Sequence, residues 1–329
     1  MARNRHCPKC QSAARDQWLA ARQADLLPVP YFHAVFTLPT GIAAMAYQNK
    51  VLVYTILFDA VAGTLKTIAA DPQHLGGELG FIAILHTWGQ ALTHHPHIHC
   101  LVPGGTLSRD RQRWIACRPR FFLPIHVLSS LFRRLFLERL KAAHAAGRLR
   151  FFGALGTLND THAFTDALKP LRATRWIVYA KPPFGSPEHV LAYLGRYTHR
   201  AAIANSRLVS ADAASVTFNW RDYRHGNVPK LMSLDPDEFI RRFLLHGLPD
   251  GFHRIRHYGF LANGCRRTRL AAIRQVLAKA TGAPVSAGSE VIQPLRQLPR
   301  FDPTVCPCCG GVLRITATLP RCRPRPDTS

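Results

Sequence analysis

One stretch constrains this chain more than any other: His94-His95-Pro96-His97-Ile98-His99-Cys100-Leu101-Val102, ended by Pro103-Gly104-Gly105. Residues 97–102 read as a short strand. Side chains on a strand alternate between faces, so His97 and His99 point one way while Ile98, Cys100 and Val102 point the other. Two imidazoles on one rigid strand, with an apolar residue between them facing a core, make a platform for a divalent metal. A histidine-rich surface strand has the same pattern, so the pair alone does not decide between them.

Charge narrows the partner. The 329 residues carry 43 Lys+Arg against 19 Asp+Glu, a formal +24. Apolar residues make up 47 %, enough for a core, so the charge is not that of a disordered basic tail. The length suggests about two folded units and excludes a small disulfide-stapled scaffold. That much uncompensated charge predicts an anionic polymer as partner. Nine cysteines, with Cys7/Cys10 and Cys306/Cys309 closely spaced and Cys308 inside the second cluster, read as metal ligands rather than a disulfide framework. No apolar run follows the basic start, so no signal peptide is expected. The apolar stretch Val51–Leu65 contains Asp59 and falls short of the roughly 18–20 residues a membrane span needs. The expectation is a soluble, cytoplasmic chain with no membrane partner.

Further elements follow from local pattern. Tyr31–Leu38, Trp176–Ala180, Ala202–Leu208 and Val216–Trp220 read as strands, and residues 41–70 as helical. Phe81–Leu92 reads as a buried helix, and Ile125–Ala146 as a long amphipathic one. Residues 239–279 hold nine Lys+Arg against one acidic residue, Asp250, and read as a basic helical region.

The best helix start is Ser186-Pro187-Glu188: an N-cap, a proline at the first position and an acid in the first turn. On this helix His189, Tyr193, Arg196, Tyr197 and Arg200 fall on one stripe, beside an apolar face of Val190, Leu191 and Leu194. A partly buried aromatic edge with basic neighbours gives the same stripe. A phenol with a pKa near 10 is a poor nucleophile except toward an activated electrophile such as a metal-polarised phosphodiester. Taken together, the histidine strand and the tyrosine helix propose one reaction, a tyrosine attacking a phosphodiester.

At this point the chain resembles a known family. His97-Ile98-His99 is similar to the strand of HUH endonucleases. Leu85-His-Thr-Trp-Gly-Gln90, His95-Pro-His-Ile-His-Cys-Leu-Val-Pro-Gly-Gly105 and Tyr193-Leu-Gly-Arg-Tyr-Thr-His-Arg200 resemble the transposases of the insertion sequence 91 family. So do Arg3-Asn-Arg-His-Cys-Pro-Lys-Cys-Gln11, Leu27-Pro-Val-Pro-Tyr-Phe-His33 and Phe252-His-Arg-Ile-Arg-His-Tyr-Gly259. The resemblance implies rolling-circle transposition. His97 and His99 would hold Mg²⁺ or Mn²⁺ on a scissile phosphate of single-stranded DNA at transposon ends and target. Tyr193 or Tyr197 would attack, leaving a free 3′-OH and a 5′-phosphotyrosine, with Arg196 and Arg200 neutralising the phosphate. A third ligand from the tyrosine helix is expected, with His189 first choice ahead of His199.

The resemblance also implies an α+β fold: a central antiparallel sheet with flanking helices, Cys-bearing zinc-binding-like segments at both ends and a basic helical C-terminal region. The expected segments are 1–28 (partial zinc and DNA binding), 29–234 (catalytic), 235–282 (basic, DNA-contacting) and 283–329 (a Pro/Gly-rich tail). Family members carry further Cys/His ligands upstream of Cys7-Pro-Lys-Cys10, so the zinc-binding region reads as truncated. Cys7 and Cys10, with His6 an alternative ligand beside them, are then half of a four-ligand Zn²⁺ site, completed from Cys306-Pro-Cys-Cys-Gly-Gly311 through Cys306 and Cys309 or else vestigial. Two other readings stay open: a catalytically impaired remnant that only binds zinc and DNA, and a metal-dependent hydrolase. The hydrolase leaves the charge unexplained.

Overall fold

The computed structural model describes residues 8–181, 189, 195, 202–222 and 225–281. Compactness divides the chain into Met1–Gly282 and Ala283–Ser329, and the second unit lies outside the described residues. In chain order the first unit runs α1 (Pro8–Gln23), β1 (Tyr31–Thr37), α2 (Thr40–Gln48), α3 (Lys50–Ala70), β2 (Gly77–Glu78), β3 (Phe81–Trp88) and β4 (His94–Pro103). It continues with β5 (Gly105–Ser108), β6 (Trp114–Ala116), α4 (Ile125–Ala145), α5 (Thr161–Ala173) and β7 (Val178–Lys181). After the tyrosine segment come β8 (Leu208–Ala211), β9 (Val216–Asp222), β10 (Val228–Leu234), α6 (Pro236–Leu245), β11 (Ile255–Tyr258) and α7 (Arg266–Thr281).

The centre is a five-stranded antiparallel sheet in the order β11-β3-β4-β1-β7. The alternation read in the histidine strand is the alternation of this sheet. Phe32, Ala34 and Phe36 of β1, with Ile98, Cys100 and Val102 of β4, bury one face against α3 and α4. Phe36 meets Phe132 of α4 edge-on at 5.2 Å between ring centroids. Local chemistry sets several helix ends. Ala163 N–H donates to the Asp160 carboxylate before α5, and α6 opens on Asp235 and Pro236 with Asp237 and Glu238 in its first turn. Two three-stranded sheets, β2-β5-β6 and β10-β9-β8, complete the strands among the described residues.

Four sequence expectations change. Phe81–Leu92 is not a helix: Phe81–Trp88 is the strand β3, paired with β4 and β11. Residues 81–87 are all buried and 81–85 are all apolar, so the run shows no alternation that separates strand from helix. Within Ala202–Leu208 the chain instead makes a 3₁₀ turn at Asn205–Arg207, residues that favour turns, and β8 begins only at Leu208. Inside the basic 239–279 region, Ile255–Tyr258 is an edge strand because β3 offers it a ladder. The apolar helix extends to Lys50–Ala70, long and apolar enough by composition to cross a bilayer; Tyr54, Leu57, Phe58, Val61 and Leu65 are buried in the core instead.

The segments 1–28, 29–234 and 235–282 all fall within the first compact unit. Trp18 and Leu19 of α1 join the apolar cluster of Leu270 and Ile273 of α7, which also takes in Tyr31, Ile82, Ile84 and Leu101 of the central sheet.

Candidate metal centre

His97 and His99 project from β4 on the face opposite Ile98. In the β3–β4 ladder His86 stands directly across from His97, so the two side chains share that face. The nitrogens of His86, His97 and His99 all lie within 4.8 Å of one another, the one such metal-capable group among the described residues. Ring centroids are 4.2 Å apart for His86 and His99, 4.8 Å for His97 and His99, and 5.3 Å for His86 and His97. His86 and His99 are buried, whereas His97 reaches solvent. The group therefore opens on one side.

A supporting layer orients these rings. His33, next along the same face of β1, places Nε2 2.7 Å from His99 Nδ1, and the rings stack at 4.9 Å and 6°. His97 Nδ1–H donates to the His95 carbonyl at 2.7 Å. A histidine that spends Nδ1 on such a partner leaves Nε2 as the ligand atom. Trp88 stacks on His86 at 5.0 Å and 12°.

The tip of the β3–β4 hairpin is fixed from outside. Arg207 donates to the Gln90 carbonyl at 2.5 Å, Arg242 to that of Ala91 at 3.2 Å and His246 Nε2–H to that of Leu92 at 3.1 Å. Leu92 has a φ of +57° and is fully buried. A non-glycine residue costs about 1–2 kcal/mol in that conformation, so the packing around it must hold it there. That packing is Ala202, Ile203 and Phe218. Ala202 and Ile203 immediately follow the tyrosine segment, so the chain leaving that segment is anchored on the hairpin that carries the histidines.

Electrostatics favour the ligand form. Burial pushes His97 and His33 down to about 4, and takes His99 well below its ordinary value with help from neighbouring His86, His97 and His33. At neutral pH these rings are neutral and keep a lone pair. A set of three imidazoles, with His97 and His99 neutral, fits a divalent metal and leaves room for further oxygen ligands.

The sequence left the third imidazole of this group, His86, without a role. It lies in the run read as a helix; as a strand, Ile82, Ile84 and His86 would have shared a face. His33, in the stretch Tyr31–Leu38 read as a strand and observed as β1, is likewise left without a role by the sequence. His189, expected as third ligand, is helical, exposed and not a member of the group. Tyr193, Arg196, Tyr197, Arg200, Cys7, Cys306 and Cys309 lie outside the described residues, and Cys10 falls in the part of α1 whose side chains are not described. Besides His189, one residue of the tyrosine segment is described. Gly195 is helical and buried, and a Cβ there would stand 2.5 Å from Leu19 Cδ2. A larger side chain at that position would make Leu19 shift its rotamer.

Comparison with known proteins agrees with the resemblance read from the motifs. Residues 80–269 match a family model described as a putative transposase, and residues 1–38 match a transposase zinc-binding domain. A relative from Sinorhizobium fredii, "Putative transposase y4qJ", is 56 % identical over 97 % of this chain and 83 % of its own length. The "Transposase for insertion sequence element IS801" of Pseudomonas savastanoi pv. phaseolicola is 26 % identical over 96 % of this chain and 74 % of its own. The conjugative relaxase TrwC, solved in complex with oriT DNA, superposes with a TM-score of 0.27 at 13 % identity over 77 % of this chain and 73 % of that one, too loosely to carry an argument. With both family models and both relatives pointing the same way, the chain belongs to the insertion sequence 91 family of transposases.

Proposed function

We propose that this transposase cleaves and rejoins single-stranded DNA at transposon ends by tyrosine attack, in rolling-circle transposition. The observation that carries the reading is the convergence of His86, His97 and His99 on an open face of the sheet. These three would hold Mg²⁺ or Mn²⁺, which when bound polarises the scissile phosphate.

The rest falls to the chain's own residues. Tyr193 or Tyr197 attacks phosphorus: the phenol oxygen forms the new P–O bond and the bond to the 3′ oxygen breaks. The phenol proton passes to water, and the departing 3′ oxygen takes one up to become a hydroxyl. Arg196 and Arg200, interleaved with the tyrosines, balance the charge of the phosphate. His33 and the His95 carbonyl hold the tautomers of His99 and His97. The second tyrosine permits a second cleavage or the return transfer before the first adduct is released. The anchoring of Ala202 and Ile203 on Leu92 supports a tyrosine segment held in register with the histidine hairpin. Cys7 and Cys10, inside the matched zinc-binding segment, are proposed as zinc ligands, and Cys306 and Cys309 as ligands in the tail. The cytoplasm is the proposed location.

Covalent capture tests the reading. A single-stranded oligonucleotide of the element's end, with Mn²⁺, should leave a protein–DNA adduct stable to denaturant. The adduct should survive Tyr193→Phe or Tyr197→Phe alone and vanish in the double variant. DNA binding with no adduct from the unmodified chain would favour a DNA-binding remnant instead.

A further inference from the structure

β7 is an outer strand of the central sheet, and its two faces differ. Toward the helical core, Trp176 and Val178 are buried. Toward the metal face, Tyr179 is 40 % exposed, and Ile177, one residue before the strand, is 68 % exposed, where a strand edge facing water would ordinarily carry polar residues. A single exposed apolar side chain is unremarkable. Here an exposed aliphatic residue precedes an exposed aromatic one, and the next outward position is a cation: Lys181 Nζ lies 5.4 Å from the centroid of the Tyr179 ring.

Register places this stripe relative to the histidines. Tyr179 pairs with Val35, and Val35 pairs with His99; Lys181 pairs with His33. Tyr179 therefore lies on the same face as His99 and two strands away, about 10 Å at the usual strand spacing. A strand of DNA whose scissile phosphate sits at the histidines has its neighbouring nucleotide within reach of that position. Unpaired bases stack on exposed aromatic rings, and cations beside those rings take the phosphates.

We propose that Ile177, Tyr179 and Lys181 form a nucleotide subsite on the outer edge of the metal face, where an unpaired base next to the scissile phosphate stacks on Tyr179 and its phosphate pairs with Lys181. The subsite rests on the reading that the histidine group receives single-stranded DNA. Stacking against a phenol ring is indifferent to base identity, so the subsite holds and orients the strand without selecting its sequence. It also distinguishes strandedness, because a base paired in a duplex presents no free face.

The test uses the full chain and a fluorescent oligo-dT strand, read by anisotropy in EDTA so that binding is measured without cleavage. Tyr179→Ala should weaken binding about tenfold, with Tyr179→Phe close to the unmodified chain. Against a strand carrying abasic sugars the unmodified chain and Tyr179→Ala should bind alike, a result that mere damage to the fold would not produce. Lys181→Gln should lower the salt slope by about 0.7, the value for one phosphate contact on a single strand. If the unmodified chain prefers oligo-dT to duplex and Tyr179→Ala shares that preference and affinity, the subsite is overturned while the cleavage reading stands. If the unmodified chain shows no such preference, the cleavage reading falls and takes the subsite with it. If Tyr179→Ala changes the oligomeric state and leaves DNA binding intact, the stripe is a contact between copies and the subsite is again overturned.

Discussion

The two halves of one face of the central sheet use the same strands for opposite ends. Toward one end, Tyr31, Ile82, Ile84 and Leu101 are sealed under α1 and α7 in an apolar cluster with Leu270 and Ile273. Toward the other, His33, His86, His97 and His99 occupy the next positions of the same alternation and open to solvent at His97. Ile82 stands across from Leu101 as His86 stands across from His97. The pleat decides which side chains share a face, and residue type together with cover decides whether that face is core or site. The sealed half gives the rigidity against which the open half can hold several desolvated imidazoles in fixed rotamers.

Substitutions should separate the halves. His97→Ala should reduce Mn²⁺-dependent adduct formation by more than about 100-fold while leaving the thermal midpoint nearly unchanged, since His97 is only half-buried. An equal loss of melting temperature would make the open half structural. Leu101→Ala in the sealed half should do the reverse, costing about 2–5 kcal/mol in denaturant unfolding with metal affinity retained. His33 stands between the two. His33→Ala should weaken metal binding by about 10–100-fold through the lost hold on His99, and His33→Gln should recover part of it.

The smallest effect concerns acid. His257 accepts a hydrogen bond from Arg22 at 3.3 Å, and burial, with Arg22 and Arg266 nearby, pushes it down to about 4. Unfolded, it titrates near 6.5. Between those values the unfolded chain binds more protons, so the stability this group contributes is complete above about pH 6.5 and is lost as pH falls toward 4. The slope should stay below about 1.4 kcal/mol per pH unit, and His257→Gln should flatten it in urea titrations over that range. An unchanged slope would remove His257 from the sealed half's acid sensitivity.

How much of this was legible in the sequence depends on whether the information was local. β4 shows its alternation openly because one face is aliphatic and the other carries imidazoles. Ile125–Ala145 shows a helical period with a wet face, and it is the helix observed. β3 hides itself: buried on both faces, it opens on the plain apolar run Phe81–Leu85, and the helical reading of that run takes His86 with it. β11 is a strand because β3 offers it an edge to pair with, a fact about a segment 171 to 177 residues back along the chain that no local window contains. His33 carries no local signal of any kind, since its partner His99 lies 66 residues along the chain.

The central claim is that the metal belongs to His86, His97 and His99. Titration of Mn²⁺ into the full chain, followed by calorimetry at neutral pH, addresses it without requiring DNA or turnover. One strong site per chain is predicted, abolished by His86→Ala and retained in His189→Ala. A chain that keeps its Mn²⁺ site in His86→Ala and loses it in His189→Ala would contradict the account and return the third ligand to the tyrosine helix.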